Sequence, residues 1–302
     1  MADDPDATEN PGAGALDRLH AVLNGEPGIV SVGVTFLPED ATASLHWGGE
    51  SDAHTPLAVA VCSRLAPDFA FVPAWEPDAE TTVRDIAACG TAPFVVVRGP
   101  LTSIAEEDGW VPTLRATLAG GGGFVSRLDA ATTVAIAEAR GAAEWGAFAV
   151  VVAEDVAGAN GPLVAPDYVI GDLMPRLGRI ASAAHDATLV AVSHSDGDMR
   201  AFLRAATAAG FDAVHPAGLE PRAFEALLAE ARRHGLTTLG GIPGSAVSSG
   251  GPAAIRAGVE AAVAAAEGGL LVSDDGGVAS GPELAALISA LQATRDPSSR
   301  GG

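Results

Sequence analysis

The chain has 302 residues, 48% hydrophobic and 18% charged, which supplies a large core and excludes a globally disordered or collagen-like polypeptide. All 17 basic residues are arginine and face 38 acidic ones, a net charge of −21 that argues against nucleic acid and anionic membranes as partners. The N-terminal MADDPDATENPGAG is acidic and rich in Pro and Gly, without the basic and apolar regions of a signal peptide. No apolar run approaches the ~20 residues that span a bilayer. These features predict a disordered acidic tail over residues 1–14, one domain over 15–296, a flexible tail over 297–302 and a cytoplasmic location. Cys62 and Cys89 are too few for a disulfide framework or a four-thiolate zinc site and read as reduced thiols.

In chain order, short β-branched runs alternate with Ala/Leu/Arg/Glu segments of helical period. Strands are predicted at Ile29–Phe36, Phe69–Ala74, Phe94–Gly99, Phe148–Ala153, Thr188–Ser193, Ala213–His215, Thr237–Ile242 and Leu270–Ser273. Helices are predicted at Pro56–Leu65, Ala79–Ala88, Ala130–Trp145, Pro166–Ala184, Met199–Ala209, Arg222–His234, Ala253–Ala266 and Pro282–Thr294. The strands show little polar alternation, as expected for a parallel sheet covered on both faces. Gly90, Gly146, Gly210 and Gly235 sit where helices end and the chain turns back. Eight βα units, with no Gly-rich phosphate fingerprint after the first strand, predict an α/β fold of the (β/α)8 TIM barrel type. The segment Thr102–Arg127 breaks the rhythm. With four glycines at Gly120–Gly123 it reads as a Gly-rich loop insertion, or as a lid over the barrel mouth.

Barrel chemistry sits at the C-terminal ends of the strands, and polar residues collect there. His194-x-Asp196-x-Asp198 is the densest cluster. An imidazole with carboxylates two and four residues on suits a divalent metal or an acid/base pair; it equally suits a loop whose aspartates cap the next helix. For Glu154-Asp155, one carboxylate facing the pocket and the other anchoring a loop is the natural division. His194, Glu154, Asp155 and His215 are therefore the catalytic candidates, with His194 and Asp196 as metal ligands. Trp75, Glu76, Arg98, Asp198 and Asp275 are the substrate-binding candidates, Arg98 as a clamp for a carboxylate. Gly240–Gly244, after the seventh strand, offers backbone N–H groups to a phosphate. His20, His46, His54, His185 and His234 lie away from the strand ends and read as surface or packing residues.

The second half resembles the uroporphyrinogen decarboxylase superfamily, which includes corrinoid-linked methyltransferases and is related to cobalamin-independent methionine synthase. The residues that carry the resemblance are Gly161 to Pro166 with Pro175-Arg176-Leu177, Ser193 to Asp198, Gly210 to Pro216, Leu239 to Ile242 and Gly268 to Gly277. They cover roughly residues 140–295. The resemblance implies a (β/α)8 barrel with a deep pocket at its C-terminal face. The decarboxylases of the family carry an Arg-rich N-terminal motif, where this chain offers only Arg18, and a late His that falls here on Gly276. The methyltransferase branch holds zinc with a His-x-Cys pair and a later Cys. His194 matches its His, Asp196 stands at the first Cys, and Gly276 again stands at the late position. The resemblance thus leaves either a harder site of His194 and Asp196, completed by Asp275 or Glu154, with zinc or another divalent ion, or a metal-free pocket.

Three functions follow as expectations. The first is a one-carbon (methyl) transferase on a small-molecule substrate, with a thiol, a corrinoid or a corrinoid protein as acceptor. The second is a decarboxylase or lyase of a small carboxylic acid, with Arg98 on the leaving carboxylate. The third is a non-catalytic ligand-binding barrel. Metal content separates the first from the others. The Ala-rich helices outside the barrel would suit a homodimer.

Overall fold

A computed structural model describes residues 11–26, 31–35, 59–60, 62–63, 66–244, 247, 251–265, 268–275 and 287. Strands β1 (Ser31–Val34), β2 (Phe69–Pro73), β3 (Ala92–Arg98), β4 (Ala149–Ala153), β5 (Val190–Asp196), β6 (Ala213–Ala217), β7 (Thr237–Ile242) and β8 (Leu270–Asp274) form a closed barrel. All eight neighbouring pairs are parallel, and β1 closes the ring against β8. The fold is the expected single-domain (β/α)8 barrel. The predicted helix at Pro282–Thr294 lies outside the described residues apart from Leu287. Most of Pro56–Leu65, both tails, Gly276 and Gly277 lie outside them too.

Period-2 alternation on each strand divides two cores. Val95, Val97, Val150 and Val152 face the surrounding helices. Val96, Val151 and Val192 face the barrel axis together with Phe69, Phe71 and Phe94. In the interior, the Phe94 ring stacks on Phe69 at 4.8 Å between centroids and on Phe148 at 5.7 Å. Helix α1 (Pro11–Leu23) closes the N-terminal end: Leu19 and Val22 are buried in this same interior cluster. Arg18 anchors the helix by pairing with Asp68 at 2.5 Å, and Asp68 also accepts the Val32 N–H at 2.9 Å.

The remaining helices form the outer wall: α2 (Ala79–Ala88), α3 (Pro100–Asp108), α4 (Trp110–Ala119), α5 (Gly122–Trp145), α6 (Met174–Asp186), α7 (Leu203–Ala208), α8 (Pro221–Arg233) and α9 (Gly251–Ala265). The loop or lid expected over residues 102–127 is instead helical. It comprises α3, α4 and the first turns of α5, with α3 packed against α4 and α5 as part of the wall. Leu101, Ile104 and Ala105 carry the apolar spacing that holds α3 down. Of the four glycines, Gly120 and Gly121 make the turn, with φ of 63° and 138°, while Gly122 and Gly123 already belong to α5. The helix expected from Pro166 contains a π-helical turn at Val169–Leu173 before α6, and the one expected from Met199 begins as a 3₁₀ turn at Arg200–Phe202 before α7. Among the described residues no helix is long and apolar enough to cross a membrane.

Candidate metal centre

The C-terminal strand ends bring Asp155, His194 and Asp196 together. One ligand atom from each lies within 4.8 Å of the others. Strand register produces this: Ala153 on β4 pairs with His194 on β5, so two residues further on Asp155 meets Asp196. Nε2 of His194 lies 4.0 Å from Oδ1 of Asp155 and 3.9 Å from Oδ1 of Asp196. The Asp196 backbone N–H donates to Asp155 Oδ1 at 3.2 Å, which fixes one carboxylate relative to the other residue's chain.

The intervening residues hold this segment in place. Ser195 points away from the group and its Oγ accepts the Val156 and Ala157 N–H groups, each at 3.1 Å. That ties β5 to the chain leaving β4. Gly197 follows with φ of +83°, and a Cβ there would overlap the Gly158 backbone. Its N–H donates to Ala217 at 2.6 Å, while the next N–H, from Asp198, donates to Gly158 at 3.0 Å. The loop is thus stitched to a short antiparallel hairpin (Ala157–Gly158 with Gly161–Pro162) on one side and to β6 on the other.

Behind His194 stands His215. The two rings meet Nδ1 to Nδ1 at 2.9 Å, and Phe71 packs edge-on against His215 with centroids 5.3 Å apart. Both imidazoles are buried. Burial holds His194 below its ordinary value, with Asp155 and Asp196 pulling the other way. Burial and then the neighbouring His194 hold His215 well below it. Asp196 is raised by burial and by Asp155, against the pull of His194. The pair is therefore neutral at physiological pH, which leaves an imidazole lone pair available to a metal.

The other predicted residues divide clearly. Glu154 does not complete the metal group. It shares the outward parity of Val150 and Val152, and its carboxylate accepts the Leu101 N–H at 2.9 Å and the Thr102 N–H at 3.3 Å, at the start of α3. Gly99 makes room for it, since a Cβ there would overlap the carboxylate. Burial pushes Glu154 up to about 8, with the two backbone N–H groups pulling back. Asp275 does not complete the group either. It accepts the Gly218 N–H at 2.9 Å, and the Gly244 backbone also bonds it. Burial raises it to about 6. Asp275 thus takes one backbone group, that of Gly244, from the Gly240–Gly244 segment.

Asp198 caps the 3₁₀ turn after β5. It accepts the Arg200 N–H at 3.1 Å and pairs with the guanidinium at 2.5 Å, which holds its carboxyl below the usual range. The capping alternative therefore describes Asp198, whereas Asp196 joins the metal group. Arg98 is occupied: it pairs with Glu106 at 2.5 Å and lies over the Trp75 ring, 3.9 Å from the centroid. Trp75 packs against the interior cluster, and Glu76 belongs to the turn between β2 and α2. Among residues not singled out from sequence, Thr102 matters: its Oγ1 accepts the Asp155 N–H at 2.9 Å.

No family model matches the chain, and no curated protein matches it in sequence. Among solved structures it is similar to a methyltransferase from Methanosarcina mazei, with a TM-score of 0.66 and 17% identity over 93% of this chain and 99% of that one. It is also similar to D-psicose 3-epimerase from Clostridium cellulolyticum H10, with a TM-score of 0.55 and 10% identity over 88% and 98% of the two chains. At these identities the likeness shows the barrel fold.

Proposed function

We propose that the protein is a metal-dependent barrel enzyme that transfers a methyl group between small molecules. The observation that carries this reading is the convergence of Asp155, His194 and Asp196 at the C-terminal strand ends. One imidazole nitrogen and two carboxylates suit zinc or a harder divalent ion, and their two negative charges balance the ion's. Bound there, such an ion supplies Lewis acidity and favours the deprotonated form of a thiol or water that it holds. His194 and the two aspartates would be its ligands. Asp196, the most exposed of the three, would also meet the incoming substrate.

The resemblance of the HSDGD segment to the methyltransferase branch, and the likeness to a methyltransferase barrel, favour methyl transfer over other metal-assisted reactions. The acceptor under this reading is a thiol, or a corrinoid that is free or carried by a partner protein.

The test is elemental analysis of the purified chain and of His194→Ala, followed by an assay of methyl transfer from methylcobalamin to a thiol. About one equivalent of divalent metal in the wild type, lost in the variant and accompanied by transfer, supports the reading. Metal without transfer keeps the centre and removes the methyltransferase assignment. Absence of metal from wild-type protein reconstituted with zinc removes both.

A further inference from the structure

We infer that His215 is a positioning residue for the metal centre: it holds His194 by Nδ1 so that Nε2 faces Asp155 and Asp196 with its lone pair bare. This inference rests on the metal reading above.

The geometry leaves few choices. A neutral imidazole carries one proton, on one of its two nitrogens. The Nδ1 to Nδ1 contact of 2.9 Å needs one donor and one acceptor. A ligand nitrogen must present a bare lone pair. For His194 Nε2 to do so, the proton of that ring sits on Nδ1 and donates to His215 Nδ1, and the proton of His215 sits on its Nε2. Both rings are then neutral.

A second observation agrees. His215 is fully buried, and the backbone of Asp274 favours a proton on its ring. With Nδ1 turned to His194, that proton belongs on Nε2, which leaves Nδ1 as the acceptor that the ligand form of His194 needs. Outer partners of this kind set the tautomer and orientation of a ligating histidine.

The experiment measures zinc affinity calorimetrically on the full chain, for wild type, His194→Ala, His215→Leu and His215→Asn. In parallel, nitrogen NMR of histidine-labelled wild type reads the protonated nitrogen of each ring with and without zinc. His215→Leu should weaken zinc binding roughly 10- to 100-fold, the range seen for outer partners of metal ligands. His215→Asn should recover most of that loss, because its side-chain oxygen can accept from His194 Nδ1–H. With zinc bound, the His215 proton should sit on Nε2 and the His194 proton on Nδ1. If zinc binds the wild type, is lost in His194→Ala and is unchanged in His215→Leu, the role of His215 is overturned while the metal reading stands. A His215 that keeps its proton on Nδ1 with zinc bound overturns it equally. Failure of the wild type to bind zinc overturns both. Should His215→Leu not fold, as judged by circular dichroism, the Asn variant and the labelled wild type decide.

Discussion

Glu154 and Asp155 are consecutive, yet their carboxylates serve opposite sides of the barrel wall. Glu154 ends at the first N–H groups of α3, whereas Asp155 reaches inward to within 4.0 Å of His194 Nε2. Alternation of side chains along β4 makes the division, and Thr102 joins the two halves: its N–H holds Glu154 and its hydroxyl holds the Asp155 backbone.

Truncating Glu154 should therefore affect stability rather than the metal directly. Glu154→Ala leaves two buried N–H groups without an acceptor and should cost about 2–3 kcal/mol in chemical denaturation, with Glu154→Gln costing less. The pH dependence carries a sign. Glu154 is raised from 4.5 to about 8, so its stabilising contribution is complete below about 4.5 and disappears as pH rises through about 8. Wild type should lose stability relative to Glu154→Gln across that window. A gain instead would show that the α3 N-terminus, and not burial, governs the group.

Removing either inward carboxylate tests the centre itself. Asp155→Asn and Asp196→Asn should each lower zinc affinity by about tenfold or more, and the double variant should fall short of the summed effect because the two groups are coupled. Asp155→Asn is expected to be the more severe, since Asp155 is the less exposed of the two. Calorimetric titration with zinc reads both, and unchanged affinity in both variants would remove the carboxylates from the site.

Gly197→Ala should disturb fold and site together. The residue has φ of +83°, and its Cβ would overlap the Gly158 backbone, so the loop must shift. A loss of about 2–3 kcal/mol is expected, with weaker zinc binding as His194 and Asp196 move. Gly161→Ala provides the control: φ is +106° but nothing lies within 4 Å of its Cβ, so only backbone strain of about 1–2 kcal/mol should appear, with zinc affinity kept.

At the opposite end, Arg18→Met should destabilise by about 2 kcal/mol. It removes a cation from the fully buried Asp68, and the partial exposure of Arg18 moderates the usual cost of breaking a buried pair. Adding Asp68→Asn should recover part of the loss. Urea titration of the two single variants and the double variant measures the coupling.

Much of the fold was legible because it depends on local signals. The apolar runs placed the strands, the helical period placed most of the wall, and the strand-end rule led to His194, Asp196 and Asp155. Residues 102–127 were misread because Gly109 and Gly120–Gly123 punctuate two short helices so heavily that the apolar spacing of Leu101, Ile104 and Ala105 was masked. The third member of the metal group was misassigned for a different reason. Whether Asp155, Glu154 or Asp275 meets His194 depends on the β4–β5 register and on which N–H groups each carboxylate finds, and neither is written in the local sequence. The pairing of Arg98 with Glu106, near the end of α3, depends likewise on how that helix packs and not on the local sequence.

Helix α1 has a kinetic consequence. With Leu19 and Val22 buried among the interior side chains, α1 plugs the N-terminal end of the barrel among the described residues, so traffic to and from the His194 group runs through the C-terminal side. Two reactants that exchange a group there must either lie together or take turns at a common entrance. Under the proposed reaction, a product that lingers will compete with the next substrate, and release becomes the step most exposed to selection.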